Sequence, residues 1–186
     1  MILTPLQPLM GELCWDVEYD RQLGLWLKFG KPVLKLDELK PQTVYLPQDQ
    51  TIEVPARYLQ VKGVWELHCC VADWKVTLAG VVTARSSSSW RQVRRGTWPL
   101  EGQRLVKAEV DDRTGATVFT FDLGAELSLR RRRGFEPDDH LWILFGPDDR
   151  LFEVRPDGTC RSGHKSDDTY HWDDERPIRE FGQQTS

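Results

Sequence analysis

Apolar and polar residues alternate along this chain in short runs, broken by glycine, proline and aspartate. Leu13, Trp15, Val17 and Tyr19 recur at every second position, with Cys14, Asp16 and Glu18 between them. A period of two places one set on each face of a β-strand, so this run predicts a strand with those four residues on one face. Runs at residues 23–29, 33–36, 64–71, 74–78 and 81–84 read the same way. Between residues 37 and 60 the pattern loses regularity, and Pro41, Pro47 and Pro55 punctuate it. No helix runs unbroken through that stretch, because proline lacks a donor N–H and its ring crowds the preceding turn. The pattern gives no long helix and leaves room for a short one near residues 35–40.

The second half repeats the scheme more cleanly. Strands are predicted at 105–110, 116–121, 126–130, 141–145 and 151–154. Asp111 to Gly115, Asp122-Leu123-Gly124, Gly146 to Asp149 and Pro156-Asp157-Gly158 are their turns. Aspartate serves there because its side chain accepts from nearby backbone N–H groups, and proline presets φ. Ser86 to Ser89 reads as a loop and Arg94 to Thr97 as a junction.

The boundary therefore falls near residue 95, with a first β unit over 1–95 and a second over 96–186. At an offset of 91 residues, Gly11, Glu18, Asp20 and Gly24 match Gly102, Glu109, Asp111 and Gly115. Asp73-Trp74 resembles the Leu141-Trp142 neighbourhood at a shorter offset. The alternative is chance likeness between glycine–aspartate hairpins. The expected fold is mainly β, with little helix: two similar antiparallel meander units, packed as a β-sandwich or as paired sheets, because an apolar sheet face has to be covered.

Composition narrows the class. At 186 residues, 39% hydrophobic and 29% charged, the chain has a globular composition. Eight tryptophans suggest anchors in the core or on a binding face. No apolar run reaches the ~20 residues of a membrane helix, and the start lacks a signal-peptide pattern, so the expected location is cytoplasmic. Cys14, Cys69, Cys70 and Cys160 have no disulfide-framework spacing and are expected as thiols, one of the vicinal pair in the core. Charge is uneven. Residues 1–97 carry twelve Lys/Arg against ten Asp/Glu, net +2; residues 98–186 carry thirteen against nineteen, net -6. An acidic second half disfavours nucleic acid and suits a basic partner.

Catalytic signatures are missing from the sequence. It contains no nucleophile elbow, no Walker A sequence and no Gly-x-Gly-x-x-Gly, and no cofactor is expected. One metal set can be drawn, Cys160, His164 and His171 with Asp173 or Asp174, but its spacing fits no standard zinc module. Solvated histidines are the plainer reading, and no metal is assigned. The aspartate pairs read as turn chemistry rather than as facing catalytic carboxyls. Arg130 to Arg133 reads as a strand end entering a loop, paired with acidic turns. The segment Asp167, Asp168, Tyr170, His171, Trp172, Asp173, Asp174 and Glu175 mixes carboxylates with rings, which suits a protein interface. A solvated tail anchored by one tryptophan is the competing reading.

The run Val118 to Leu129, then Leu141 to Leu144 and Gly146 to Leu151, resembles small bacterial β proteins, some of them similar to immunity proteins of polymorphic toxin systems. That resemblance implies a non-catalytic protein that binds and neutralises a cognate toxin, a basic domain such as a nuclease in view of the charge. It carries over no functional residue. The alternatives are a small β-scaffold metal-dependent enzyme and a structural or assembly protein held by sheet edges. The sequence leaves the oligomeric state open.

Overall fold

Glycine and aspartate turns cut the chain into strands too short to fold alone, so strands far apart in sequence must pair. The computed structural model of the protein describes residues 3–22, 24–47, 50–70, 72–134, 136, 139–166 and 169–182. A 3-10 helix at Thr4–Leu9 leads into β1 (Cys14–Asp20), β2 (Gly24–Phe29), β3 (Val33–Tyr45), β4 (Thr51–Lys62), β5 (Trp65–Cys69), β6 (Asp73–Leu78) and β7 (Val81–Arg85). Helix α1 (Trp90–Thr97) and a 3-10 turn at Trp98–Leu100 follow. Then come β8 (Leu105–Val110), β9 (Thr117–Phe121), β10 (Ala125–Arg130), β11 (Trp142–Phe145), β12 (Arg150–Val154), β13 (Thr159–Ser166), β14 (Thr169–Pro177) and the single turn α2 (Ile178–Phe181). The protein is mainly β and its sheets are antiparallel, as the alternation predicts. Among the described residues no helix is long and apolar enough to cross a membrane.

The larger sheet has the order β1-β2-β5-β11-β12-β13-β14, and the second β7-β6-β10-β9-β8. Each of these two sheets draws strands from both halves of the chain, while β3 and β4 form a separate two-stranded sheet within the first half. The first half gives three strands to the larger sheet, then crosses to give β6 and β7 to the other. The second half does the reverse, giving β8 to β10 to the smaller sheet and β11 onwards to the larger. The halves meet where β5 pairs with β11 and β6 with β10.

The segments matched at an offset of 91 residues face each other. Gly11 N–H donates to the Leu105 carbonyl at 2.7 Å and Gly102 N–H to the Cys14 carbonyl at 2.7 Å. Cys14 N–H donates to Gln103 at 2.8 Å, and Leu105 N–H to Glu12 at 3.1 Å. Each bond of a pair is the other with the two segments exchanged. Gly11 and Gly102 hold φ at +84° and +81°, where a Cβ is strained. A bulge also recurs at matching places, Cys14/Asp16 in β1 and Leu105/Lys107 in β8.

The core lies between the two sheets. Leu25, Leu27 and Phe29 of β2 face Phe119 and Phe121 of β9 with Leu127 and Leu129 of β10, all buried. Rings cross the interface: Phe29 lies over Phe121 at 6.4 Å, and Tyr19 meets Trp74 edge-on at 5.8 Å. Trp142 is fully buried against Phe119, and its indole N–H donates to Thr117 Oγ1 at 2.8 Å. That bond satisfies the polar end of an otherwise apolar ring. Cys69 is in the core, as expected of one of the vicinal pair.

Three expectations need correction. The alternation that puts Leu13, Trp15, Val17 and Tyr19 on one face fails at the β1 bulge. Cys14 enters the core, Val17 and Tyr19 pack against it, and Trp15 is the extra residue. A bulge adds one residue to one strand and so resets its alternation. The irregular stretch 37–60, with its allowance for a helix at 35–40, is most of the long hairpin β3–β4. Its prolines are accommodated: Pro41 lies within a bulge between Leu39 and Gln42, Pro55 opposite it, and Pro47 in the turn, where no ladder N–H is required. Third, Ser86 to Ser89 is a loop as predicted, but the junction at Arg94 to Thr97 is the end of helix α1. Ser89 opens that helix with a capping box, its hydroxyl accepting from Gln92 N–H while Gln92 Oε1 accepts from Ser89 N–H.

Candidate functional site

The outer face of the larger sheet gathers rings, charged groups and two histidines. Cross-strand register aligns Trp26, His68, Ile143, Glu153, Arg161 and Glu175 in one row over six strands. The next row on this face aligns Asp16, Lys28, Glu66, Phe145 and Leu151. Register explains the grouping, since residues opposite one another in antiparallel strands share a face.

Rings form a continuous path here. Trp26 stacks on His68 at 3.7 Å with 13° between the planes, and on Phe145 at 5.5 Å. Phe145 meets Tyr170 at 6.0 Å, and Tyr170 meets Trp172 at 6.0 Å. Between this face and the base of the β3–β4 hairpin lies a groove of about 800 Å³, walled by Trp15, Trp26, Tyr58, Phe145 and Tyr170. Its floor is charged. Lys28 Nζ bonds Asp16 at 2.8 Å and Glu18 at 2.6 Å and lies 5.7 Å from the Trp15 ring. Burial raises the carboxyl of Glu66, which also accepts the Gly63 N–H.

Farther along the row the groups are more deeply buried. Glu153 and Arg155 are both under 6% exposed, and Arg155 also reaches Glu175 at 3.3 Å. Burial pushes the Glu153 carboxyl up to about 7 against the pull of Arg161 and Arg155. At the end of β5, His68, Cys70 and His140 converge. One ligand atom of each lies within 4.8 Å of the others, and Cys70 Sγ is 2.8 Å from His68 Nδ1. Burial, then Glu153 and Asp139, push the Cys70 thiol up, and burial lowers His140. These three residues could hold a metal ion.

The metal set drawn from the sequence is not assembled. Cys160 is in the core, its thiol raised by burial, while His164 and His171 stack at 5.1 Å on the half-exposed β13–β14 pair. His164 Nδ1 is 3.5 Å from Asp173. Sequence reasoning missed His68 and His140 as a pair because some seventy residues separate them, and only the β5–β11 pairing joins them.

The acidic-aromatic segment is not a tail but β14, one of the two edge strands of the larger sheet. Tyr170, His171, Asp173 and Glu175 are exposed there, and Trp172 and Asp174 half-buried. Asp167 and Asp168 lie outside the described residues. Three of the carboxylates have partners within the molecule: Glu175 bonds Arg155 and Arg161, Asp174 bonds Arg176, and Asp173 bonds His164. Arg131 to Arg133 are exposed beyond the end of β10. Asp111 and Asp157 do what turn aspartates do. Asp111 accepts from Arg113 N–H, Thr114 N–H and the Thr114 hydroxyl, and Asp157 from the N–H and hydroxyl of Thr159.

The β3–β4 hairpin is the other conspicuous surface. Its strands pair with each other and with no other strand among those described. Twelve of its large apolar residues are exposed, from 38% at Leu46 to 81% at Tyr45. Leu34 lies opposite Val61, and Leu36 opposite Leu59, on one face of its base. Toward the tip, Val44 opposite Ile52, with Val54, occupies the other face. An ion pair between Glu38 and Arg57, 3.6 Å, marks the change of face.

Comparison of the chain with protein-family models, with curated proteins and with solved structures finds no match.

Proposed function

We propose that the protein is a non-catalytic binding protein and that the β3–β4 arm is the element a protein partner engages. One observation carries the reading: a ribbon about 40 Å long that leaves apolar side chains uncovered on both faces. Isolated two-stranded ribbons are marginal in water, and exposed apolar patches of this extent mark interaction sites. Strands apolar on both faces are those that end up covered on both sides. The arm itself is nearly neutral, so it supplies area, while the acidic second half supplies steering toward a basic partner. A toxin-neutralising immunity protein fits that combination, with the toxin's basic domain as partner.

The test is co-expression with the product of the neighbouring gene. We expect a stable complex and relief of that product's toxicity. Leu36→Ser with Leu59→Ser should abolish both, while changing stability by no more than ~0.5 kcal/mol per site, since both side chains are more than half exposed. A complex indifferent to the arm variant sinks the arm, and the absence of any complex sinks the immunity reading. A second reading, assembly of copies of this chain, is favoured by the same arm. Light scattering on the purified protein separates the two: a concentration-dependent oligomer abolished by the arm variant supports assembly, and a monomer removes it.

A further inference from the structure

We propose that His68, Cys70 and His140 form a binding site for a zinc-class divalent ion, where the end of β5 lies beside the start of its partner strand β11. The site is independent of the arm and of any partner.

Strand geometry explains how the ligands meet. His68 and Cys70 are two residues apart in an extended segment, so their side chains emerge on the same face. His140 arrives immediately before β11, whose Ile143 lies opposite His68. The three ligand atoms lie within 4.8 Å of one another. A zinc ion bonded at ~2.1 Å to nitrogen and ~2.3 Å to sulfur requires ligand atoms roughly 3.5 Å apart, which small side-chain rotations reach. The orientation of His68 is already set, because Trp26 lies flat on its ring at 3.7 Å. His140 Nε2 is buried and has no hydrogen-bond partner among the described residues, and a metal is one of the few groups that satisfies such an atom.

The donor set selects the ion. Two imidazoles and a thiolate suit zinc and its soft neighbours, whereas calcium and magnesium take oxygen ligands. Cys70 loses its proton to solvent as the sulfur–metal bond forms. Three protein ligands leave a fourth tetrahedral position for water or an external anion. Access exists, since Cys70 and His140 are only half-buried.

The experiment uses the full chain, stripped with a chelator and then titrated with zinc, and separately with cobalt(II). We expect one equivalent bound, with a thiolate-to-cobalt charge-transfer band in the near ultraviolet. Cys70→Ser should remove that band, and His140→Ala should weaken zinc binding at least tenfold. His164→Ala with His171→Ala should change neither. A measurement on the unaltered protein guards against variants that fail to fold. Cys14, Cys69 and Cys160 are fully buried, so a thiol reagent added to the native protein reads Cys70, and zinc should slow that reaction at least tenfold. No stoichiometric uptake, an unchanged labelling rate, or a band that survives Cys70→Ser overturns the site.

Discussion

Glu153 shows what one buried carboxyl does on this sheet. It is 2% exposed, its Oε1 has no hydrogen-bond partner among the described residues, and Arg155 Nε is 3.7 Å away. Burial raises its pKa to about 7 from an ordinary 4.5. Between those two values the unfolded chain releases the proton while the folded one keeps it, so stability falls as pH rises across that window. The loss is complete above pH 7 and is on the order of 3 kcal/mol. Glu153→Gln should therefore be more stable than the parent above pH 7 and equal to it near pH 4, read from urea midpoints over that range. Equal pH slopes in the two proteins would show that the carboxyl is not held neutral. Other single residues were legible from sequence: Asp111 and Asp157 cap their turns through neighbours two and three positions away. The environment of Glu153 was not, because Arg161 is brought opposite it only by the β12–β13 register.

Among the elements, α1 is held by contact as much as by its cap. The Gly96 carbonyl accepts from Thr83 Oγ1 at 2.7 Å, and a Cβ on Gly96 would collide with the Thr83 carbonyl and lie 2.7 Å from Ala84 Cβ. Helix propensity favours alanine over glycine by ~1 kcal/mol, but overpacking against backbone opposes it by roughly 1–3 kcal/mol. Gly96→Ala should thus be net destabilising and lower Tm by a few degrees in a thermal scan; a raised Tm would mean that α1 shifts freely on β7. Most strands could be read from alternation, since β2, β6, β8, β9 and β10 each bury one face. The β3–β4 arm could not. Its apolar residues change face halfway and its prolines look like breaks, and only the bulge at Leu39/Gln42 reconciles both with a ladder.

At the scale of the whole molecule, the exchange of strands has an energetic consequence. Residues 1–97 alone lack β10 and β11, the partners of β6 and β5, and residues 98–186 alone lack β5 and β6. Each half would expose sheet edges together with an apolar face. We expect each half alone to be unfolded by circular dichroism and an equimolar mixture to recover β structure; a half that folds cooperatively by itself would show that the pairings between halves are dispensable. The sequence by itself determined the mainly β class, most of the strands that alternate cleanly, their turns and the recurrence at an offset of 91 residues, because these rest on residues within a few positions of one another or on direct comparison of two segments; it missed β4, β13 and β14. Which strands pair across the halves, where the apolar arm lies exposed, and that His68 and Cys70 meet His140 were decided only by the tertiary structure. Those outcomes depend on register between distant strands, and register is fixed by how all the faces can be covered at once.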